Sequence, residues 1–378
     1  MPLLIIGALL ILYGIFAIYS VSIFESFQVT LDLVNKGVLT EPTNYYYFNE
    51  QFIKLGIGIV LALITYFIPL RIIKKLKYVI FFGWLALVCL LFTNLWQDYK
   101  QGATLWIEIG WSTIQPWEFF KIGFVMFMAS WLLRKRAVLD EMQYYIWFLV
   151  MTGLTCLVFL LLPDGGSLLL FGSVAMVLFR YAGGKIYYIV MTFILGLIFT
   201  VLAATQFNYI KDRINYFVNP SSDTSGEGIG RQTKQALLSV WWWGLIGKWY
   251  GKWLQKFGYI PEAQSDFIFA AFAEEVGFVG TSILVVLYFL LARYFLKRLP
   301  QIKDEYDRLL GVGILSLILM QAWINIGVNI KLIPLTGLTL PFISHGGSAL
   351  LVNIIELVLL YKILEEPRTT LRKIAAKE

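Results

Sequence analysis

Ten stretches of about 20 mostly apolar residues follow one another along this chain, and their succession limits it to one kind of fold. They lie near residues 3–23, 52–69, 78–96, 117–133, 145–162, 167–182, 186–206, 269–292, 309–330 and 348–364. A helix needs roughly 20 residues to cross a hydrocarbon layer about 30 Å thick. Hydrophobic residues make up 59% of the chain and charged residues 15%, where a soluble domain carries about 25% charged residues. A soluble enzyme is thereby excluded. So is a disulfide framework, because the two cysteines, Cys89 and Cys156, sit inside apolar stretches. The first stretch has neither a basic leader nor a small-residue cleavage site and reads as a retained span. The expectation is an all-α polytopic membrane protein, a single integral domain over residues 1–378.

The connections alternate in charge. Arg71, Lys74, Lys75 and Lys77, then Arg134, Lys135 and Arg136, then Arg180 and Lys185 lie on one side. Arg293, Lys297, Arg298, Lys303 and Arg308 join them, with Arg368, Arg372, Lys373 and Lys377 in the tail. The short connections of the other side hold only Lys36, Lys100 and Lys331. Lysine and arginine accumulate on the cytoplasmic face, so both termini are expected there. The net charge of +7 is topogenic by this reading and implies no nucleic-acid partner.

The connection 207–268 is the one large extracytoplasmic loop. It opens on a polar run from Asn219 to Gly230 and continues through Trp241, Trp242, Trp243, Trp249 and Trp253. Lys248, Lys252 and Lys256 would share one face of a helix. They suit an interfacial helix resting on lipid phosphates, or a basic rim that holds a substrate pyrophosphate.

Ionisable groups within or beside spans are costly and therefore functional candidates. Glu118 and Lys121 sit three residues apart on one face of the fourth span and can neutralise each other. Asp164 lies in a Pro-Asp-Gly-Gly-Ser turn that can aim a carboxylate back into the bundle. Asp266 heads the eighth span, where it is either a plain helix cap or a working carboxylate. Glu274 and Glu275 follow it; Glu356, inside the tenth span, has no evident task. The final loop, Pro334 to Ser348, is apolar yet broken by two prolines and three glycines. Such backbone is tolerated at membrane depth only where protein or a wet cavity covers it. It contains Ser344 and the sole histidine, His345, a structural hydrogen-bonder or a catalytic group. One histidine and two buried cysteines do not make a zinc site.

Five segments in this order resemble the SEDS family (shape, elongation, division and sporulation proteins of the RodA, FtsW and SpoVE type). They are QPWEFFK at 115–121, PDGGS at 163–167, RINYFVNPSSD at 213–223, PEAQSDFIFAAFAEEVG at 261–277 and PLTGLTLPFISHGGS at 334–348. The wording of the last segment, and the run after Arg213, look slightly more FtsW-like. Departures are Gln264-Ser265 where histidine-threonine is usual, Leu162 for a glutamine and His345 for a tyrosine. Thr104 and Leu105 precede Trp106 where arginines are common.

The resemblance implies a peptidoglycan glycosyltransferase of the bacterial cytoplasmic membrane. It would polymerise lipid II at the outer face, with inversion and loss of undecaprenyl pyrophosphate, in division or shape maintenance. Asp266 matches the family's essential aspartate and would be the general base. Gln115, Trp106, Glu118, Lys121, Asp164, Ser344 and His345, with Lys248, Lys252 and Lys256, would contact substrate. A divalent cation, magnesium or manganese, would sit at Asp164 or Asp266. A class B penicillin-binding protein and other divisome or elongasome membrane proteins would be partners, with membrane lipids around the chain. Two alternatives remain: a lipid II flippase, and a non-catalytic scaffold for the penicillin-binding protein. Clustering of Asp266, Asp164 and the final loop at the outer face favours chemistry over a path through the midplane.

Overall fold

Nine of the ten apolar stretches fall on helices in a computed structural model, which describes residues 1–75, 78, 81, 83, 107–109, 112–162, 164–219, 229–241, 244–247 and 263–375. The stretch near 78–96, Trp106, and Lys248, Lys252 and Lys256 lie outside the described residues, apart from positions 78, 81 and 83. In chain order the helices are α1 (Pro2–Val21), α2 (Ile23–Asn35), α3 (Tyr46–Phe67), α4 (Leu70–Lys75), α5 (Pro116–Lys135), α6 (Met142–Leu161) and α7 (Gly165–Tyr181). There follow α8 (Ile186–Gln206), α9 (Asn208–Val218), α10 (Ile229–Trp241), α11 (Ile268–Arg298), α12 (Glu305–Asn329) and α13 (Gly347–Ala375). Two three-residue strands, β1 (Ile107–Ile109) and β2 (Ser112–Ile114), pair antiparallel ahead of α5.

Seven helices are long and apolar enough to cross a membrane among the described residues. They divide by what covers them. In α12 the apolar window is 83% buried in protein, whereas in α8 it is 11% buried. Exposed Phe193, Leu197 and Val201 give α8 an apolar surface of the kind a bilayer covers. The chain is a multi-pass membrane protein. Among the described residues four short helices, α2, α4, α9 and α10, fall in connections where the apolar pattern marks no span.

The chain packs as two compact units, each drawn from three separate stretches. The first comprises residues 1–59, 208–291 and 321–351. In it Phe272 of α11 takes the ring edges of Tyr13 and Phe16 of α1, with centroids 5.3 and 5.7 Å away. Ser20 donates to the Glu275 carboxylate at 2.5 Å, which gives one buried acid of α11 a partner. The Tyr13 hydroxyl donates to the Gly280 carbonyl at 2.7 Å.

The eighth expected span, near 269–292, differs from an unbroken rod. At Gly277 the backbone turns to φ 68°, a left-handed conformation that interrupts the helix. The amides freed by the break are met by the segment 244–247. Phe278 and Val279 donate to the Gly244 and Leu245 carbonyls at 3.0 and 3.1 Å. A Cβ at Gly277 would lie 2.2 Å from the Gly247 nitrogen, so glycine is the residue the contact admits. The part after the break, about 21 residues, can span by itself at 1.5 Å per residue. The nine residues before it form a separate buried half-helix.

The second unit comprises residues 60–207, 292–320 and 352–378. Phe120 and Phe124 of α5 pack on Phe171 of α7 at 5.4 and 5.0 Å, and Phe159 stacks on Phe171 at 4.9 Å. At one end Lys74 pairs with Asp304 and Asp307 at 3.1 and 2.6 Å, and Arg136 with Glu305 at 2.7 Å. These pairs tie together three connections that the charge pattern assigns to a single side.

Candidate functional site

The turn from Ala263 to Phe267, ahead of α11, carries Asp266. Two asparagines one helical turn apart on α12 hold its backbone. Asn325 Nδ2 and Asn329 Nδ2 both donate to the Asp266 carbonyl, at 2.9 and 3.0 Å. Asn329 Oδ1 also accepts the Ala270 amide at 3.0 Å. That asparagine therefore takes a capping bond at the half-helix start, a duty that sequence alone could assign to Asp266. The Asp266 side chain is half-buried, its Oδ1 accepting the Ser265 hydroxyl at 3.1 Å.

The final loop is fastened to the same turn. Ser344 Oγ donates to the Ser265 carbonyl at 2.6 Å and accepts the Leu340 amide at 2.7 Å. The His345 amide donates to the Gln264 carbonyl at 2.8 Å. Asn325 donates to the Leu338 carbonyl at 2.7 Å, and Gln321 to the Thr339 carbonyl at 3.1 Å. The Tyr288 hydroxyl donates to the Pro341 carbonyl. Irregular apolar backbone can be buried here because side chains of neighbouring helices meet its polar groups. Leu338, Leu340, Phe342 and Ile343 are each at most 2% exposed, so the loop is covered by protein. Gly337 faces the carboxylate: a Cβ there would lie 3.7 Å from Asp266 Oδ2.

His345 turns its ring towards α3. Its Nε2 lies 3.4 Å from Glu50 Oε2, and the ring stands edge-on to Tyr47 at 4.9 Å. Glu50 is ion-paired with Lys54. Neither Glu50 nor Lys54 carried a signal in the sequence beyond being charged at the start of a span.

The second unit holds a separate polar cluster. Lys121 and Glu118 are fully buried and paired at 2.6 Å, with the ammonium 5.7 Å from the Trp117 ring centroid. Asp164 caps α7, accepting the Ser167 amide at 2.9 Å and its hydroxyl at 2.6 Å. Glu356 of α13 is fully buried and within Coulomb range of Lys121 and Glu118. Glu118 likewise feels Asp164. The acid with no evident task in the sequence thus joins the Glu118–Lys121 pair, which only tertiary packing reveals. Gln115 is the residue immediately before α5, and its carbonyl accepts the Glu118 amide at 3.2 Å.

The structure thus gathers Asp266, Ser344 and His345 in one unit, and Gln115, Glu118, Lys121 and Asp164 in the other. Among the described residues no three His, Cys, Asp or Glu side chains form a metal-holding group. Asp164 already serves as a helix cap, which makes it the poorer of the two expected cation ligands.

Comparison with known proteins places these features in a lineage. Residues 1–369 match the cell cycle protein family of FtsW, RodA and SpoVE. The chain is 31% identical over 368 residues to Stage V sporulation protein E of Bacillus subtilis, covering 96% of this chain and 95% of that one. It is 31% identical to the probable peptidoglycan glycosyltransferase FtsW of Nitrosomonas europaea, covering 97% and 93%. Against that of Thiomicrospira cyclica it is 33% identical, covering 86% and 84%. Its fold is shared with a chain of a peptidoglycan synthase complex that coordinates polymerization and crosslinking, with TM-score 0.77, 24% identity and 97% of each chain covered. The rod shape determining protein RodA of Thermus thermophilus has the same fold, with TM-score 0.64, 23% identity, and 96% and 95% covered.

Proposed function

This chain belongs to the FtsW, RodA and SpoVE family of cell cycle proteins, and we propose that it is a peptidoglycan glycosyltransferase that polymerises lipid II. The observation that carries the reading is the Asp266 turn. Two asparagines and the final loop fasten its backbone while the carboxylate stays partly accessible. A general base needs that combination: a fixed position, and reach to an acceptor hydroxyl. Several relatives bear the corresponding activity in their names.

In the proposed reaction Asp266 takes the proton of the C4 hydroxyl of an acceptor sugar. The hydroxyl oxygen attacks the anomeric carbon of the donor strand from the face opposite its α-linked pyrophosphate. The carbon–oxygen bond to pyrophosphate breaks as the β1,4 bond forms, so the centre inverts. Positive charge lowers the cost of the departing pyrophosphate. We assign that role to Lys121, whose charge and orientation Glu118 sets, with Lys248, Lys252 and Lys256 as helpers. A divalent cation would bind one carboxylate, Asp266 or Asp164, together with phosphate oxygens, the usual habit of magnesium. It would supply further charge at the leaving group. Ser344 and His345 serve the site through the backbone they hold; for Gln115, Trp106, Glu118 and Asp164 a substrate contact is proposed on the family resemblance alone.

The site is proposed to face the extracytoplasmic side of the bacterial cytoplasmic membrane, and a class B penicillin-binding protein to be the crosslinking partner. Division is favoured over elongation by the FtsW-like wording of the final loop.

The test is polymerisation of labelled lipid II by purified protein, with and without that partner, its transpeptidase blocked. Glycan ladders are expected from the wild type, with Asp266→Ala reduced by about 10²-fold or more. Ladders undiminished in Asp266→Ala would leave a base elsewhere. No ladders from the wild type under any partner or metal condition would turn attention to lipid II translocation.

A further inference from the structure

The His345 ring is the middle of a chain of contacts that runs from α3 to the catalytic turn. On one side its amide, and the hydroxyl of Ser344 before it, hold the carbonyls of Gln264 and Ser265, the two residues that precede Asp266. On the other side its imidazole meets Glu50 at 3.4 Å, and Glu50 is paired with Lys54 one helical turn along α3. The loop makes room for that lysine: a Cβ on Gly347 would stand 2.5 Å from Lys54 Cε and 2.6 Å from Nζ. Lys54 is 4% exposed.

Burying such groups is expensive, and an apolar trio would bind the loop to α3 more cheaply. What charge adds is direction. The opposite charges of Glu50 and Lys54 cancel, and a neutral imidazole can donate its ring N–H to Glu50 in a single orientation. Burial, and Lys54 nearby, hold the His345 pKa below its ordinary value against the pull of Glu50, which keeps the ring neutral near pH 7. Tyr47 packs against the ring in an edge-on contact at 4.9 Å.

We propose that Glu50, Lys54 and His345 are positioning residues: Glu50, paired with Lys54, orients His345, whose backbone sets the turn that aims the Asp266 carboxylate. The inference rests on Asp266 being the base of the proposed reaction. It adds a contact network from α3 that neither the motifs nor their spacing contain. Small displacements of a reacting group lower rates steeply, so the effect belongs in turnover and not in substrate binding.

The test uses the full-length protein with its crosslinking partner and four variants: Glu50→Gln, His345→Phe, Gly347→Ala and the Glu50→Gln/His345→Phe double. Gly347→Ala leaves every charge in place and displaces Lys54 by volume alone. Two quantities are read per folded protein: kcat and KM for lipid II, and hydrogen exchange in peptides covering 263–270. Each single variant is expected to lower kcat on the order of 10- to 100-fold with KM within about twofold, and to speed exchange in the turn. The double should be no worse than the poorer single, because both cut the same chain. Additive losses in the double, or unchanged exchange at 263–270 in Glu50→Gln, would overturn the proposal, as would a fall in thermal stability with kcat per folded molecule intact. If the wild type makes no glycan, the glycosyltransferase reading fails by itself, while the exchange measurement still decides whether Glu50 and His345 hold the turn.

Discussion

Asn329 holds the Asp266 turn from both ends: its Nδ2 donates to the Asp266 carbonyl at 3.0 Å and its Oδ1 accepts the Ala270 amide at 3.0 Å. One side chain on α12 thus satisfies a carbonyl before the half-helix and an amide inside it. Asn329→Leu fills the space, leaves the Asp266 carbonyl with Asn325 as its remaining side-chain donor, and leaves the Ala270 amide unmet in a buried place. A loss of about 1–3 kcal/mol for the orphaned amide is expected, read as a lower thermal midpoint in lipid nanodiscs. Asn329→Asp keeps the acceptor and should fall between the two. Equal midpoints for all three proteins would show that water replaces the asparagine.

Lys121 answers for two buried acids, Glu118 by contact and Glu356 by proximity. Lys121→Met strips both of their counter-charge and should cost about 3–5 kcal/mol, the usual penalty for breaking a buried pair. Adding Glu118→Gln should recover much of that loss, because a neutral amide no longer needs a cation. Denaturation of the single and double variants measures it. A double variant less stable than Lys121→Met would refute the shared-charge account.

Gly277 is irreplaceable by geometry. Alanine there meets a strained φ of 68° and a backbone nitrogen 2.2 Å from its Cβ, so the 244–247 segment must leave or the helix must distort. Gly277→Ala is expected to lower stability and expose 244–247 to protease. Gly196→Ala is the control: no neighbour lies within 4 Å of its Cβ on the exposed α8. It should gain up to about 1 kcal/mol of helix propensity.

The Lys74 contacts set a pH response at the opposite kind of place, a connection between helices. Burial lowers the Lys74 pKa, but Asp307 and Asp304 outweigh it and the net direction is up. For Asp304 burial raises the pKa, and Lys74 with the Tyr306 and Asp307 amides outweighs it to a net lowering. A lowered acid contributes stability above its unfolded pKa, lost as pH falls through the folded one. A raised lysine contributes below its unfolded pKa, lost as pH rises through the folded value. Lys74→Met should therefore flatten the melting temperature against pH at the acid end, around and below the ordinary aspartate range. The effect is small because Asp304 is 53% exposed and solvent screens it. A profile parallel to that of the wild type would remove the pair from the account.

The helical, membrane-spanning character was legible without coordinates because it depends on local quantities. Twenty apolar residues in a row must satisfy their backbone internally, and the helix does so whatever surrounds it. The Glu118–Lys121 pair was legible for the same reason, since residues three apart on a helix always face each other. Asp266 was visible as a candidate, with its role as helix cap or working carboxylate left undecided. What lay beyond reach was every relation between distant segments. Asn325 and Asn329 looked like ordinary polar residues at the end of a span until they met the turn 59 and 63 residues earlier. Glu356 made no sense alone and becomes one member of a charge cluster when α13 lies near α5. The break at Gly277 was hidden because a glycine in an apolar run reads as a continuous helix; the carbonyls of 244–247, which meet the freed amides, make the interruption affordable. Local hydrogen bonding and the cost of dehydrating backbone determined which segments are helices and that they belong in a bilayer. Which buried polar groups find partners is a matter of long-range packing, and that packing alone decided how the Asp266 turn is held.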